Sequence, residues 1–294
     1  MKIYSKYMKT PILFLIYNRP QYTKKVFNII QKMRPETLFV SADGPNLNKV
    51  GDDLLCKDTR SIIENIDWPC KVSLNFSDTN LGCRLGVTKG INWFFENNEE
   101  GIILEDDCLP IDSFFQYCEK MLDIYRDDDK IMMISGSNPA TSIDSINSDY
   151  FFSRFYHVWG WATWKRAWIK MDINLSDWPL YKQNNFLDQF YTHNQNNKRF
   201  TEKMFDEVYT KKSSVWAIQW SYSCLINNGL AILPKYNMIT NIGLEGDHEM
   251  NVNQLFLKTK DINIDNLIHP NKINVEEDTE NLLFDRSGLN NLII

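Results

Sequence analysis

The sequence predicts an α/β protein built on a mostly parallel, twisted sheet that is flanked by helices. Over residues 10–136, short apolar runs alternate with stretches whose apolar residues recur at helical spacing. Most of these runs are continuously apolar, which is typical of strands that are buried on both faces of a sheet. Strands that alternate with helices in this way pair in parallel, with helices on both faces.

The individual elements follow in chain order from these two patterns. Strands are predicted at residues 12–17, 38–42, 70–76, 102–104 and 131–134. Helices are predicted between them, at residues 22–33, 55–66, 87–95 and 114–125. The tripeptide Asn18-Arg19-Pro20 ends the first strand, and Pro35 ends the first helix, because proline cannot continue either element.

The pattern changes after Gly136. Residues 138–149 are polar and are predicted to form a loop, residues 180–228 are predicted to be largely helical, and a short strand is predicted at 230–233. From about residue 250 the chain is polar, acidic and rich in asparagine. We therefore predict one α/β domain with a βα half at 1–136 and a mixed second half at 137–250, followed by a polar C-terminal appendage at 251–294.

Composition excludes several classes of protein. The formal net charge of -6 argues against a nucleic-acid partner, because binding to phosphates needs a basic face. We find no apolar stretch that approaches the roughly 20 residues of a transmembrane helix, and the N-terminus lacks the apolar core of a signal peptide. The six cysteines form no Cys-x-x-Cys pair, as in a reducing compartment. A cytoplasmic location is expected, and peripheral contact with a membrane stays open.

Three carboxylates, those of Glu105, Asp106 and Asp107, follow directly on the predicted strand at 102–104. Open α/β sheets bind ligands just outside the carboxyl ends of their strands. Adjacent negative charges repel one another unless a cation or a substrate compensates them, and oxygen ligands favour Mg²⁺ or Mn²⁺ held together with substrate phosphates. The acidic run at 127–129 follows a helix instead, so we expect it to be a solvated turn.

Other charged residues are expected at the same edge of the sheet. Asp43 ends the second strand and is either a turn residue of Asp-Gly-Pro or an acceptor for a nucleobase N–H. Arg19 follows the first strand, and Arg84 lies in a predicted loop at 80–84. Each arginine is either a phosphate clamp or an ordinary surface or ion-paired charge.

The second half contributes a histidine and a cluster of tryptophans. His248 lies in a glycine-spaced acidic loop, where it either completes the coordination of Mn²⁺ or faces solvent. Gly160 separates Trp159 from Trp161. Clustered tryptophans are core residues or flat surfaces for sugar rings, and both interpretations stay open here.

The combination resembles the GT-A class of nucleotide-sugar glycosyltransferases, in particular the N-acetylglucosaminyltransferase I type and its bacterial relatives. The resemblance rests on the acidic motif at 103–110 and the helix start at 114–117. The tripeptides at 43–45, 159–161 and 241–243 also fit bacterial members. It spans roughly residues 10–250.

The resemblance implies a role for each matching position. Asp107 would bind the metal together with His248, Glu105 would contact the ribose, and Asp106 would contact the donor sugar at the reacting centre. Asp43 would meet the base, and the diphosphate would lie near Arg19 and Arg84. The acceptor would stack on tryptophans of the second half, namely Trp159, Trp161, Trp216 and Trp220. The half at 1–136 would then bind the nucleotide sugar, and 137–250 would form the acceptor side.

One position departs from this family. Inverting relatives carry an acidic general base between two tryptophans, and here the corresponding stretch between Trp216 and Trp220 contains Ala217. A general base commonly contributes about 10²–10⁴-fold to the rate. Either another carboxylate replaces it, or the reaction retains configuration, or the alignment differs, or the sequence has been altered to inactivity. The candidate replacements are Asp206, Glu207, Glu245 and Asp247.

The sequence therefore predicts a metal-dependent glycosyltransferase that uses Mn²⁺ or Mg²⁺. It would move a sugar from a nucleoside diphosphate, expected to be UDP, to a hydroxyl of a glycan or a lipid-linked saccharide, as in the synthesis of bacterial surface polysaccharides. The first alternative is a weak or inactive module that binds a nucleotide sugar or a glycan, which Ala217 favours. The second is a sugar-phosphate nucleotidyltransferase, which is disfavoured because Asn18-Arg19-Pro20 is not a glycine-rich phosphate loop.

Overall fold

The structure, a computed structural model, describes residues 7–192, 194–211, 215–243 and 257–287. Its centre is an eight-stranded sheet, in which six strands run in one direction. These six are β1 (Ile12–Ile16), β2 (Thr37–Ala42), β3 (Lys71–Phe76), β4 (Glu100–Glu105), β6 (Ile131–Ser135) and β9 (Leu230–Pro234). The strands β7 (Tyr150–Ser153) and β8 (Trp161–Trp164) run in the opposite direction. A separate antiparallel pair consists of β5 (Cys108–Pro110) and β10 (Ile239–Asn241).

Helices cover both faces of the sheet. One face carries α1 (Pro20–Met33) and α4 (Asp112–Ile124), whose apolar residues pack on it. A second group of helices packs on the other face. It comprises α3 (Gly82–Asn97), α5 (Lys165–Trp168), α6 (Trp178–Gln183), α7 (Gln195–Tyr209), α8 (Ala217–Ile226) and α9 (Glu277–Arg286). The helix α2 (Asp52–Ser61) lies beside α1 and continues into a 3₁₀ turn at Ile62–Asn65.

The strand order places the carboxyl ends of β1 and β4 side by side. The order across the sheet is β3-β2-β1-β4-β8-β6-β9-β7. The chain moves outward from β1 through β2 to β3 and then returns to β4, on the other side of β1. In open α/β sheets, such a reversal opens a crevice between the two strands at their carboxyl ends, where ligands bind. The segments after Ile16 and after Glu105 meet at this crevice.

The predicted fold class is confirmed, and so is the order of the first strands and helices. The strands β7 and β8 were not predicted, because the tryptophans and aromatic residues of 150–164 show no sustained period of two. The strand β8 is inserted antiparallel between β4 and β6, so both predicted halves of the domain build one sheet.

The described part of the predicted C-terminal appendage packs against the sheet domain. Within residues 257–287, Leu283 is 0% exposed and Phe284 is 6% exposed. Phe152 also pairs with Val275 in an isolated parallel bridge. Polar composition concealed this packing, because only a few apolar residues of α9 face the core. Among the described helices, none combines the length and the apolar character needed to cross a membrane.

Candidate functional site

A cleft of about 620 Å³ opens at the carboxyl edge of the sheet. Its walls are the ends of β1, β2 and β4, the start of α3, and the loop that connects β2 to α2. The volume falls within the range of small-molecule sites. The structure therefore brings a cavity of suitable size to the crevice that the strand order defines.

Asp106 and Asp107 both pair with Arg19 at the floor of this cleft. Nη2 of Arg19 donates to Oδ1 of Asp106, and Nη1 donates to Oδ2 of Asp107 at 2.8 Å. The Asp106 side chain is 2% exposed, and its Oδ2 also accepts the backbone N–H of Tyr17 at 3.3 Å. The Asp107 side chain is 16% exposed and is thus the more accessible of the two. Asp106 joins the ends of β1 and β4, while Asp107 lies within reach of a ligand.

The start of α1 fixes the position of Arg19. Pro20 occupies the first turn of the helix, where its missing N–H costs nothing and its φ is already helical. The carbonyl of Arg19 accepts the backbone N–H of Thr23 at 3.0 Å and the Thr23 hydroxyl at 2.9 Å. The tripeptide that ends the first strand therefore also holds a guanidinium over the acidic cluster.

The Glu105 carboxyl group has no hydrogen bond and no ion pair to another described residue, although Glu105 lines the cleft. Burial, followed by the charge of Asp107, raises its pKa to about 8. Burial also raises the pKa of Asp106 to about 6, against the attraction of Arg19. One guanidinium thus faces three carboxyl groups, and a cation beside Glu105 and Asp107 would favour the ionised form of Glu105 at neutral pH.

This group of carboxyl oxygens fits a divalent cation. Carboxylate oxygens are suitable ligands for Mg²⁺ or Mn²⁺, and such ions are commonly bound by one or two carboxylates together with substrate phosphates. The described residues alone contain no group of three or more histidine, cysteine or acidic side chains placed around one ion position. Glu105 and Asp107 could therefore hold a cation only as part of a shell that a ligand or further residues complete.

Asp43 lies in the cleft as predicted, but its carboxylate is fully engaged. One oxygen accepts the N–H groups of Gly44 and Leu81, both at 2.8 Å. The other accepts the N–H of Gly82 at 2.9 Å and the side-chain amide of Asn80 at 3.1 Å. A carboxylate offers about four acceptor positions, so a base could bind here only by displacing one of these donors. The geometry favours the turn interpretation, in which Asp43 holds the segment before α3.

Asp52 is a site residue that the sequence did not reveal. It is 2% exposed and accepts the hydroxyl of Tyr17 at 2.6 Å, the side-chain amide of Asn18, and the N–H of Asn46 at 2.6 Å. Burial opposes its charge, but these hydrogen bonds outweigh burial and lower the pKa of Asp52. The side chain thereby ties the segment after β1 to the loop after β2. An aspartate at a helix start carries no signal of such a role.

Two other predicted site residues lie elsewhere. Arg84 is in the first turn of α3 rather than in a loop, and it does not line the cleft. Asp206 is on α7, where it accepts the indole N–H of Trp178 at 3.0 Å and pairs with Lys182 at 2.6 Å. Its contacts are structural and it does not line the cleft, so the proposal of Asp206 as a general base is corrected.

The tryptophans divide into core and pocket residues. Three of them are almost completely buried: the exposed fraction is 0% for Trp161, 2% for Trp216 and 0% for Trp220. The ring centre of Trp161 lies 5.9 Å from that of Trp216 and 5.7 Å from that of Trp220. A glycan cannot stack on rings that are buried in this way, so their predicted acceptor role is corrected. Trp159 is only partly buried and lines a second cavity. Each buried indole removes a large apolar area from water, which explains why these residues lie in the core.

The segment 241–243 closes the acidic side of the cleft. The N–H of Ile242 donates to the carbonyl of Asp107 at 2.8 Å. A Cβ atom at Gly243 would lie 2.6 Å from Oδ2 of Asp107, so only glycine allows this close approach. The next predicted residues, Glu245, Asp247 and His248, lie outside the described part of the chain.

Comparisons with known proteins add a general likeness of fold. No protein-family model and no curated protein matches the sequence. Among solved structures, S. aureus TarS 1-349 matches at 12% identity and a TM-score of 0.44, over 79% of this chain and 59% of that chain. The UTP-bound UGPase from Acinetobacter baumannii matches at 8% identity and a TM-score of 0.40, over 80% and 89%. HddC from Yersinia pseudotuberculosis matches at 10% identity and a TM-score of 0.32, over 53% and 77%. Likenesses this weak identify neither a family nor an activity.

Proposed function

We propose that this protein is a GT-A-type glycosyltransferase that takes a sugar from a nucleoside diphosphate. One observation carries the proposal: the carboxyl groups of Glu105 and Asp107 lie beside the guanidinium of Arg19 in the crevice between β1 and β4. This arrangement offers negative ligands for a cation and a positive group for an anion within one cavity. A diphosphate bound with its cation matches both requirements.

The chain's own residues would bind and orient the donor. Arg19 is suited to receive a phosphate, because a guanidinium can donate two parallel hydrogen bonds to such a group. The hydrogen bonds of Asp52 and Asp106 to the segment after β1 keep Arg19 in place before the donor arrives. Such preorganisation supports charge that develops on a leaving diphosphate.

Asp107 and Glu105 would hold the Mn²⁺ or Mg²⁺ ion, and His248 remains our proposed further ligand. When bound, the ion acts as a Lewis acid that neutralises the charge of the departing diphosphate. Gly243 touches Asp107, and His248 follows it by five residues. A chain of this length spans up to about 17 Å, so the distance along the chain is compatible with a histidine at the same site.

The acceptor hydroxyl needs a group that takes its proton. No described carboxylate other than those already discussed lines the cleft. Of the candidate bases, Glu245 and Asp247 therefore remain proposals. The use of a UDP-sugar as the donor also stays a prediction.

A thermal-shift titration tests the proposal. UDP with Mn²⁺ is expected to raise the melting temperature more than either compound alone, because a ligand that binds only the native state stabilises it. Asp107→Asn should remove the part of the shift that depends on Mn²⁺. The matched control is Asp129→Asn, whose side chain is 83% exposed and remote in sequence.

The same material separates the competing functions. Slow hydrolysis of a UDP-sugar, or transfer to an added saccharide, supports the glycosyltransferase. Release of pyrophosphate from UTP and a sugar phosphate would identify a nucleotidyltransferase instead. Tight binding of the donor with neither hydrolysis nor transfer would leave a binding module. An unchanged melting temperature with all nucleoside diphosphates and Mn²⁺ would contradict the proposal.

A further inference from the structure

A second cavity of about 330 Å³ lies between α7, α8, the end of α9 and the segment 154–159. The face of α8 that lines it comprises Ala217, Ile218, Ser221 and Leu225, which recur at helical spacing. Aromatic side chains form most of the opposite wall. These are Phe155, His157, Trp159, Tyr191, Phe200 and Phe284. The cavity is thus an apolar pocket of ligand size, and the described residues leave it unfilled.

The charged side chains that line this pocket are positive, while the partly buried carboxyl group of Glu280 beside them accepts the backbone N–H of Arg154 at 3.1 Å. Arg154 and Arg286 line it, and no described aspartate or glutamate does. The guanidinium of Arg154 lies 5.1 Å from the ring centre of Phe190, and Arg286 is exposed at the rim. Neither guanidinium forms an ion pair within the described residues. An apolar interior with arginines beside it suits a ligand that joins an apolar group to an anion.

The pocket reaches the edge of the sheet at which the cleft opens. In the antiparallel pair of β4 and β8, Ile103 lies opposite Trp161. The residue two positions after Ile103 is Glu105, and the residue two positions before Trp161 is Trp159. Both therefore project beyond the same edge. Consistent with this, a Cβ at Gly160 would contact Leu104 at 3.4 Å. One end of the apolar pocket, at Trp159, thus lies at the edge of the sheet at which Glu105 enters the cleft.

We infer that this pocket binds the apolar, anionic carrier of the acceptor, so that the acceptor is an amphiphile with a single hydrocarbon chain next to a phosphate. The inference rests on the proposed function in naming an acceptor, while the binding itself does not depend on it. A free, uncharged glycan would offer no hydrocarbon to the apolar face of α8 and no anion to the guanidiniums of Arg154 and Arg286. Ala217 contributes to the pocket as a small apolar side chain that makes room for the hydrocarbon.

Calorimetric titration with decyl phosphate, kept below its micelle concentration, tests the inference. The Kd is expected to fall by about fourfold for each methylene added from hexyl to decyl phosphate, as expected for burial of hydrocarbon. Arg286→Ala and Arg154→Ala should each raise the Kd by about tenfold, because each removes a charge-assisted contact with the phosphate. Arg199→Ala is the matched control, since Arg199 is exposed on α7 and does not line this pocket.

Filling the pocket gives an independent test. Ser221→Phe should abolish binding of decyl phosphate. If that variant does not fold, Ala217→Leu takes its place, and this smaller change should weaken the binding. Ser61→Phe, on the exposed end of α2, should have no effect. Equal affinity for decyltrimethylammonium, an absence of chain-length dependence, or an unchanged Kd in the filled variants would each overturn the inference.

The donor cleft provides the remaining control. In the wild type, UDP with Mn²⁺ should not displace decyl phosphate. In Ser221→Phe, the rise in melting temperature with UDP and Mn²⁺ should be the same as in the wild type. Displacement by UDP would show that the probe binds in the cleft, which overturns the inference about the pocket. If the melting temperature of the wild type does not change with UDP and Mn²⁺ while decyl phosphate still binds, the proposed function is contradicted but the inference that the pocket binds an amphiphile is not.

Discussion

Nη1 of Arg19 lies 2.8 Å from Oδ2 of Asp107, so a residue shortly after β1 is paired with a residue shortly after β4. The same guanidinium also pairs with Asp106, which is almost completely buried. A single side chain thus stabilises the crevice and offers a positive charge to a ligand. Because Arg19 has both roles, its effects on folding and on binding are measured separately in the variants below.

Arg19→Met should destabilise the protein, because it leaves the carboxylate of Asp106 buried without its cation. Removal of one partner from a buried pair costs roughly 3 kcal/mol. Arg126 is the control, since its pair with Glu100 is half-exposed and Arg126→Met should cost under about 1 kcal/mol. Urea unfolding measures both free energies. Equal losses of unfolding free energy in the two variants would show that the buried pair of Arg19 with Asp106 contributes no more than the half-exposed pair of Arg126 with Glu100.

Asp43→Asn distinguishes a structural role from contact with a base. The substitution turns one acceptor oxygen into a donor that faces the N–H groups of residues 80–82. A loss of about 2–3 kcal/mol in the free energy of unfolding is expected. Asp78→Asn, in the exposed part of the same loop, should change it little. Unchanged stability together with weaker binding of uridine nucleotides would instead support recognition of the base.

Trp220→Ala tests the assignment of the tryptophans. The Trp220 ring is 0% exposed and packs at 5.0 Å on Trp168, so its truncation should cost about 3–5 kcal/mol. Trp159→Ala should cost roughly 1 kcal/mol, because that ring is only partly buried. Thermal unfolding compares the two. A larger loss from Trp159 than from Trp220 would reverse the division into core and pocket residues.

Gly243→Ala should impair binding more than folding. The added methyl group would lie 2.6 Å from Oδ2 of Asp107 and 3.2 Å from Nη1 of Arg19, so the carboxylate has to move. We expect the thermal shift with UDP and Mn²⁺ to fall by more than half, while the melting temperature without ligand changes by only a few degrees. A normal shift in this variant would show that the orientation of Asp107 does not matter.

His157 should make stability depend on pH. Burial lowers its pKa from 6.5 to about 4, and its Nδ1 has no hydrogen-bond partner among the described residues. As the pH falls, the unfolded chain therefore takes up this proton before the folded protein does. The stabilisation is complete above pH 6.5 and decreases towards pH 4. Since the ring is only partly buried, we expect a loss of about 2 kcal/mol rather than the full value of the shift.

Urea unfolding at several pH values measures this dependence. His157→Gln cannot titrate, so its free energy of unfolding should fall less steeply between pH 6.5 and 4. Among the described residues, the charged groups that line the same pocket are Arg154 and Arg286, and burial alone lowers the pKa of the ring. An identical slope in the wild type and in His157→Gln would show that other groups cause the acid sensitivity.

The sequence by itself determined the α/β class, the order of the first strands and the position of the acidic cluster. Continuous apolar runs specify buried strands locally, and the carboxyl end of such a strand is known once the strand is known. Arg19 and Asp43 could be placed at this edge for the same reason. These inferences depend only on neighbours in the chain.

Only the tertiary structure decided what each side chain contacts. The engagement of Asp43 by residues 80–82, the ties made by Asp52, and the burial of Trp161 and Trp220 all join residues that are far apart in sequence. The insertion of β8 beside β4 likewise brought Trp159 to the edge of the sheet at which Glu105 lies. A carboxylate or an indole has the same local signature in a core and in a binding site. Its surroundings, which pairing and packing over long distances supply, set its burial and its partners.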